Sequence, residues 1–149
     1  MIESTSEKYR EPILQYNDES KLWRLVEDYQ FTWGIPGFRK RLFMSSGFEY
    51  DKASVPRWAW AVFRADAQWE GASLWHDRLY RDKGKFPHPE SFRFETMIKG
   101  EWKLDPSRWT RKDADALLEY CGRLGGASKL EAAIYRAAVA VNPANWFKF

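Results

Sequence analysis

The strongest constraint on the fold is a change of hydrophobic pattern part-way along the chain. Before Pro56, aromatic and aliphatic residues occur in short runs with the length of β-strands, at Leu22–Val26, Tyr29–Trp33 and Arg41–Met44. The Gly-Ile-Pro-Gly sequence at residues 34–37 is typical of a turn. The last two runs are therefore predicted to form a small antiparallel hairpin.

After Pro56 the pattern changes to helix. Two capping boxes, Thr-x-x-Asp at residues 110–113 and Ser-x-x-Glu at residues 128–131, mark helix N-termini, and Asp66 is the expected N-cap of an earlier helix. The predicted helices run from Asp66 to about Asp82, from Thr110 to about Arg123 and from Ser128 to about Val141. The predicted fold class is α+β and mainly α, with a short N-terminal antiparallel β-hairpin followed by three helices.

The length of 149 residues suits a single domain. Residues 1–20 are polar and are predicted to be a poorly ordered N-terminal segment, whereas residues 21–149 are predicted to form the domain. Residues 82–109, which contain several Pro and Gly residues, are predicted to be an insertion-like connection between the first two helices. Because a connection of that length is uncommon, it is expected to carry function or to have structure of its own.

Composition argues against several classes of protein. The net charge of +3 comes from 24 basic and 21 acidic residues, which is too mild for nucleic-acid binding, so no specific nucleic-acid partner is predicted. The aromatic share of 17% supplies the burial that ordering requires and argues against disorder. Cys121 is the only cysteine, so neither an intrachain disulfide nor a cysteine-based zinc site is expected.

Targeting and membrane signals are not found in the sequence. Residues 1–11 are polar and lack the apolar region of a signal peptide. No apolar stretch approaches the length needed to span a bilayer. The expectation is a protein that is made in the cytoplasm and has no transmembrane segment.

The first candidate site residues are His76, Asp77 and Tyr80. His76 and Tyr80 are four residues apart in the first predicted helix and so share one face. Asp77 is rotated by about 100° onto a neighbouring surface. An imidazole can take a proton from water, and an adjacent carboxylate can hold a cation.

A histidine base needs a third group that fixes its tautomer, and Asp115 in the second predicted helix is the candidate. Asp115 borders an apolar stripe that includes Leu117 and Leu118, so its side chain is predicted to face the first helix. If the two helices pack antiparallel, Asp115 reaches both His76 and the hydroxyl of Tyr80. A structural polar core would use the same residues, so both interpretations remain open.

The segment around Asp51 supplies a second candidate carboxylate. Together with Asp77 and backbone carbonyls it would offer hard oxygen ligands to Ca²⁺. A turn made rigid by Ser54 is the simpler explanation of the same segment. Arg78 belongs to the basic end of the first helix, which complements the helix dipole and would favour an anionic substrate.

Four segments together resemble a phage and prophage family known only as domain of unknown function 1353. They are Gly-Phe-x-x-Asp-x-Ala-Ser-Val-Pro-Arg at residues 47–57, His-Asp-x-Leu-Tyr at 76–80, Arg-x-x-Ala-Asp at 111–115 and Tyr-Arg-Ala-Ala-Val at 135–139. Tyr50 stands where this family usually has Thr, and residues 82–109 are longer than its norm. That extra length suggests a lid, a partner-binding surface or a feature of this subgroup.

A more distant resemblance is to the prokaryotic, disulfide-poor branch of secreted phospholipase A2 enzymes. These have an Asp-containing loop, a His-Asp-x-x-Tyr helix and an Asp on the next helix. The resemblance implies an antiparallel helix pair in which His76 activates water while Asp115 and Tyr80 orient the histidine. It also implies that Asp51 and Asp77 bind Ca²⁺, which would stabilise the oxyanion.

The predicted function is therefore hydrolysis of a lipid or another cell-envelope ester at a Ca²⁺-dependent His/Asp site. Ser54, Arg57 and Arg78 would support the substrate or the loop around it. The alternative is a non-catalytic phage accessory or virion protein that works through contacts with phage structural proteins. In that alternative the polar network is a structural core, the aromatic residues form an assembly surface, and the protein is incorporated in the virion.

Overall fold

Strands and helices occur in an order that differs from the predicted one. The computed structural model describes residues 9–50 and 69–141. The strands in these residues are β1 (Leu14–Asn17), β2 (Leu22–Leu25), β3 (Tyr29–Trp33), β4 (Lys40–Met44), β5 (Glu49–Tyr50), β6 (Phe92–Ile98) and β7 (Glu101–Leu104). The helices are α1 (Glu70–Arg81), α2 (Arg111–Leu124) and α3 (Lys129–Val141).

The strands of the described residues form two antiparallel sheets, with the orders β1-β2-β5 and β3-β4-β6-β7. About 34% of these residues are helical and 27% are in strands. The prediction of a mainly α fold, with an N-terminal hairpin followed by three helices, was therefore wrong. β3 and β4 do pair with each other, but as part of a four-stranded sheet that β6 and β7 complete from beyond α1.

β6 and β7 lie within residues 82–109, which the sequence assigned to a connection. Lys99 and Gly100 join the two strands with φ angles of 51° and 79°, as in a type I′ turn. Phe92 and Phe94 alternate with more polar residues along β6 and are buried. Because β6 pairs with β4, this hairpin is an integral part of the sheet.

One face of the four-stranded sheet forms one side of the core. Its buried residues alternate along the strands and are Tyr29 and Phe31 on β3, Leu42 and Met44 on β4, and Phe92 and Phe94 on β6. α1 packs on this face, where the ring of Trp75 stacks on Tyr29 with centroids 5.0 Å apart. α2 covers another side of α1, so most of the surface of α1 is buried.

The N-terminal segment predicted to be poorly ordered contains β1, which pairs with β2. Before β1, the ring of Tyr9 contacts Phe31 edge-on, with centroids 5.8 Å apart. The carboxylate of Glu11 accepts a hydrogen bond from the backbone N–H of Gly71 at 2.9 Å. Residues 9–17 therefore contact both the sheet and the start of α1.

The capping boxes predicted for the second and third helices fix where α2 and α3 begin. Thr110 accepts a hydrogen bond from the backbone N–H of Asp113, and the Asp113 carboxylate accepts one from the backbone N–H of Thr110. Ser128 likewise accepts a hydrogen bond from the backbone N–H of Glu131 at 3.1 Å. These bonds satisfy N–H groups that the first turn of a helix leaves free. Both predicted start sites are confirmed.

The boundaries of α1 were predicted less well. The helix ends at Arg81, as expected, but it begins at Glu70, and the predicted N-cap Asp66 lies outside the described residues. The residue at the N-cap position, Trp69, makes no side-chain capping hydrogen bond. None of the described helices is long and apolar enough to cross a membrane.

α1 and α2 run in opposite directions. At the start of α1, Trp69 packs against Gly122 near the end of α2, where a Cβ would collide with the indole ring. At the end of α1, Tyr80 contacts Arg111 at the start of α2. The glycine lets the helices approach closely, and the face of α1 that carries Tyr80 is turned toward α2.

Candidate functional site

The candidate site lies where α1 faces α2. His76 Nε2 is 2.7 Å from Asp115 Oδ1, and the two side chains are only 11% and 8% exposed. Tyr80, one turn after His76, donates its hydroxyl hydrogen to the same oxygen at 2.6 Å. The structure thus brings together the three residues that the sequence indicated as a base and its orienting groups.

Arg111 extends this network. Its Nε donates to the Tyr80 hydroxyl oxygen at 3.2 Å, and a terminal nitrogen donates to the carbonyl oxygen of Ala140 at 2.6 Å. The hydroxyl therefore accepts from Arg111 and donates to Asp115. Burial, followed by the hydrogen bond to Asp115, raises the pKa of Tyr80 above its usual value of 10.0. The phenol stays protonated and acts as a donor.

Asp115 sets the protonation pattern of the imidazole. A carboxylate accepts hydrogen bonds, so the Nε2 atom that faces it carries a proton and the neutral ring has its lone pair on Nδ1. Nδ1 has no hydrogen-bond partner among residues 9–50 and 69–141. Some buried polar atoms of these residues are fully enclosed without a partner, and Nδ1 is not among them. The ring of His76 also packs on Tyr80, with centroids 4.1 Å apart. Asp115 thus holds the ring through Nε2, and Nδ1 keeps the lone pair that can accept a proton.

Asp77 makes a contact that is separate from the His76–Asp115 network. Its carboxylate lies 3.3 Å from the Arg81 guanidinium, which also donates to the backbone carbonyl of Glu49 at 3.2 Å. In the described part of the chain, no three His, Cys, Asp or Glu side chains form a cluster that could hold a metal ion. The described residues therefore do not by themselves fit a Ca²⁺ site.

The Arg78 side chain packs against aromatic rings. Its guanidinium lies over the rings of Phe48 and Phe92, at 4.8 and 5.1 Å from their centroids, and its Nε donates to Asp82 at 3.0 Å. These contacts hold α1 against the strands and do not involve His76. The remaining predicted site residues, Asp51, Ser54 and Arg57, lie outside the described residues.

Sequence reasoning did not identify Arg111 as a site residue. It precedes Asp115 by four residues, so the two share a face of α2, and this spacing was the available signal. A cation in the first turn of a helix is also unfavourable for the helix dipole. Its contacts with Tyr80 and Ala140 explain why a cation is placed there.

Most of the described chain, including the residues of this network from His76 to Asp115, matches a known family. The family model described as Protein of unknown function (DUF1353) matches residues 23–139. The chain belongs to this family. No curated protein and no solved structure matches this DUF1353 chain. The predicted membership is therefore confirmed, while the DUF1353 description assigns no activity to the site.

Proposed function

We propose that this protein is a hydrolase in which Nδ1 of His76 takes a proton from the water molecule that attacks an ester. The observation that carries the proposal is the set of hydrogen bonds around the imidazole. Asp115 holds Nε2, and Tyr80 donates to the same carboxylate oxygen. Nδ1 is then the ring atom able to accept a proton. General-base catalysis requires a histidine that is oriented through one ring nitrogen and has a lone pair on the other.

The proton balance follows from this arrangement. The water oxygen forms a bond to the ester carbonyl carbon while its proton passes to Nδ1, and Asp115 stabilises the imidazolium that results. When the bond between that carbon and the leaving alcohol breaks, the imidazolium returns the proton to the alcohol oxygen. The products are a carboxylic acid and an alcohol, and His76 is neutral again.

The proposed substrate is a lipid or another cell-envelope ester. Arg81 at the end of α1 is about half exposed, and its positive charge suits an anionic head group.

The predicted Ca²⁺ is a separate matter. Asp77 would have to exchange its contact with Arg81 for the ion, and further ligands, Asp51 among them, would have to come from outside the described residues.

A non-catalytic phage accessory or virion protein is the second candidate. The low exposure of His76 favours it, because a buried and hydrogen-bonded histidine serves equally well as part of a polar core. The length of residues 82–109 is weaker support than the sequence suggested, because β6 and β7 in this segment pair with the core sheet. The two candidates differ in whether His76 is needed for turnover.

Paired substitutions of the two histidines test the proposal. His76→Gln keeps an amide donor for Asp115 but cannot act as a base, whereas His88→Gln changes a histidine whose side chain is 71% exposed. Both variants and the wild type are assayed with 4-nitrophenyl butyrate and with phosphatidylglycerol vesicles. We expect His76→Gln to lower the rate by about 100-fold or more and His88→Gln to leave it unchanged.

Two outcomes would contradict the hydrolase. One is the absence of hydrolysis by the wild type on both substrates, and the other is an equal rate in the wild type and His76→Gln. Either result would favour the polar-core interpretation. Running each assay in CaCl₂ and in EGTA tests the metal separately, since an unchanged rate in EGTA would reject Ca²⁺ without rejecting the base.

A further inference from the structure

A cavity of about 350 Å³ lies on the side of α2 that faces away from His76. Asp113 and Leu117 line it, and each is two residues from Asp115, which places them about 200° around the helix axis from the site residue. The other side of the cavity is formed by the four-stranded sheet and by residues 105–109. Its volume is within the range of small-molecule binding sites.

Aromatic rings form much of the cavity wall. Trp33 and Phe94 lie with their rings nearly parallel and their centroids 6.0 Å apart. Trp109 meets both of them edge-on, at 6.0 Å from Trp33 and 5.2 Å from Phe94. Tyr120 contributes a further ring from α2. Rings at these angles offer both a stacking surface and edge contacts to a flat ring system.

Lys40 is an exposed residue at the end of a row whose inner positions are buried. Strand pairing places Trp33, Lys40 and Thr96 side by side, one step beyond the buried Phe31 and Leu42 on the same face of the sheet. At this position Lys40 lines the cavity. Its ammonium group makes no hydrogen bond and no ion pair within the described ranges 9–50 and 69–141.

The carboxylates that line the cavity are already used by the protein. Asp105 accepts hydrogen bonds from Thr96 Oγ1 and from the backbone N–H of Ser107, both at 2.9 Å. Burial opposes ionisation of Asp105, but these hydrogen bonds and the charge of Lys40 outweigh it and lower its pKa. Asp113 is the acid of the α2 capping box. Both oxygens of Asp105 are therefore used, while Asp113 uses Oδ2 in the capping box.

The unsatisfied groups around the cavity are donors. Trp109 is only 8% exposed, and its indole N–H has no hydrogen-bond partner among the residues that the structure describes. Arg108 uses its Nε on the carbonyl of Lys83, which leaves the terminal nitrogens of an exposed guanidinium available. Because the Trp109 N–H is enclosed, the exposed cations Arg108 and Lys40 are the groups that favour a ligand with negative charge and acceptor atoms.

We propose that this cavity binds a flat aromatic or heteroaromatic anion. The ring system packs against Trp33, Phe94 and Trp109, and the anionic group pairs with Lys40. The cavity and the His76 network use different faces of α2, so this binding site does not depend on the proposed hydrolysis.

Three naphthalene probes of matched size test the charge preference: 2-naphthoate, 2-naphthamide and trimethyl-(2-naphthyl)ammonium. Calorimetric titration of the full chain is expected to give a dissociation constant for 2-naphthoate at least about fivefold lower than for the other two. Lys40→Gln should abolish this preference. The matched control, Lys112→Gln, changes an exposed lysine of α2 that does not line the cavity and should preserve it.

The indole N–H resonance of Trp109 in ¹⁵N-labelled protein tests the location. It should shift as 2-naphthoate is added, and Ala116→Phe, which fills the cavity from an exposed position on α2, should remove both the shift and the binding heat. The proposal is overturned if the ammonium probe binds as tightly as the carboxylate or if none of the probes binds. Binding that survives Ala116→Phe, or that leaves Trp109 unshifted, would also overturn it.

Discussion

His76 and Asp115 are 39 residues apart in the chain, yet Nε2 of one and Oδ1 of the other lie 2.7 Å apart between α1 and α2. Because Tyr80 lies four residues after His76 on the same face of α1, it reaches the same oxygen from one turn further along the helix. A single carboxylate therefore satisfies two donors in a buried interface. The orientation of the proposed base and the packing of the two helices depend on the same group.

Asp115→Asn removes the negative charge at this position and keeps the shape of the side chain. The amide has the size of the carboxylate but cannot stabilise an imidazolium, so we expect kcat for ester hydrolysis to fall about 100-fold or more. Asp113→Asn is the matched control, because it makes the same change in the capping box and should lower the melting temperature without changing kcat. Equal losses of kcat in the two variants would show that helix stability, rather than the contact with His76, sets the rate.

Tyr80→Phe should mainly affect stability. It removes the donor to Asp115 and the acceptor for Arg111 while His76 keeps its partner, so we expect the free energy of unfolding to fall by about 1–2 kcal/mol. We expect kcat to fall less than about tenfold. Tyr50→Phe is the comparison, since the contacts of the Tyr50 hydroxyl with other described residues are longer, at 3.3 and 3.5 Å. Urea unfolding that shows an equal cost for both would contradict the assigned network.

The contacts of His76 could be predicted because they follow from helical spacing. A separation of four residues puts His76 and Tyr80 on one face, and the capping box of α2 fixes the register that turns Asp115 toward them. The role of Arg111 could not be predicted in the same way. It depends on a carbonyl of α3 at Ala140, and local sequence does not reveal which carbonyl a guanidinium will reach.

The fold class was predicted wrongly because β6 depends on a distant partner. Phe92 and Phe94 have the two-residue period of a strand, but Pro87, Pro89 and Gly100 nearby favour a loop. Phe92 pairs with Met44 on the far side of α1 in sequence, and this pairing joins the β6–β7 hairpin to the sheet. A short alternating run becomes a strand when it can pair with the edge of a sheet. The local sequence pattern does not show whether such an edge is present.

Gly122→Ala should destabilise the protein, although replacing glycine with alanine inside a helix usually stabilises it. Alanine within a helix is normally more stable than glycine by about 1 kcal/mol. At this position its Cβ would collide with the ring of Trp69, so we expect the free energy of unfolding to fall by about 1–3 kcal/mol. Trp69→Phe makes room for the new Cβ. The loss of stability in the double variant should therefore be smaller than the sum of the losses in the two single variants. Additive losses in a double-mutant cycle would reject the contact.

Glu11 gives the stability of the protein a defined dependence on pH. Burial is the main cause that raises the pKa of this carboxyl from 4.5 to about 7; the hydrogen bond from Gly71 opposes the rise, and the charge of Glu70 adds to it. Between these two values the folded chain keeps a proton that the unfolded chain releases. The contribution of Glu11 is therefore most favourable below about pH 4.5, is lost as the pH rises through 7, and is constant above that.

Glu11→Gln removes this titration and keeps an oxygen that can accept from Gly71. We expect it to raise the free energy of unfolding by roughly 1 kcal/mol at pH 8, after allowance for solvent screening of a partly exposed side chain, and by much less at pH 5. Urea unfolding at both pH values measures the difference. Glu90→Gln, at an exposed glutamate before β6, should change stability little at either pH. If Glu11→Gln and the wild type lose the same stability between pH 5 and pH 8, the buried carboxyl is not the cause.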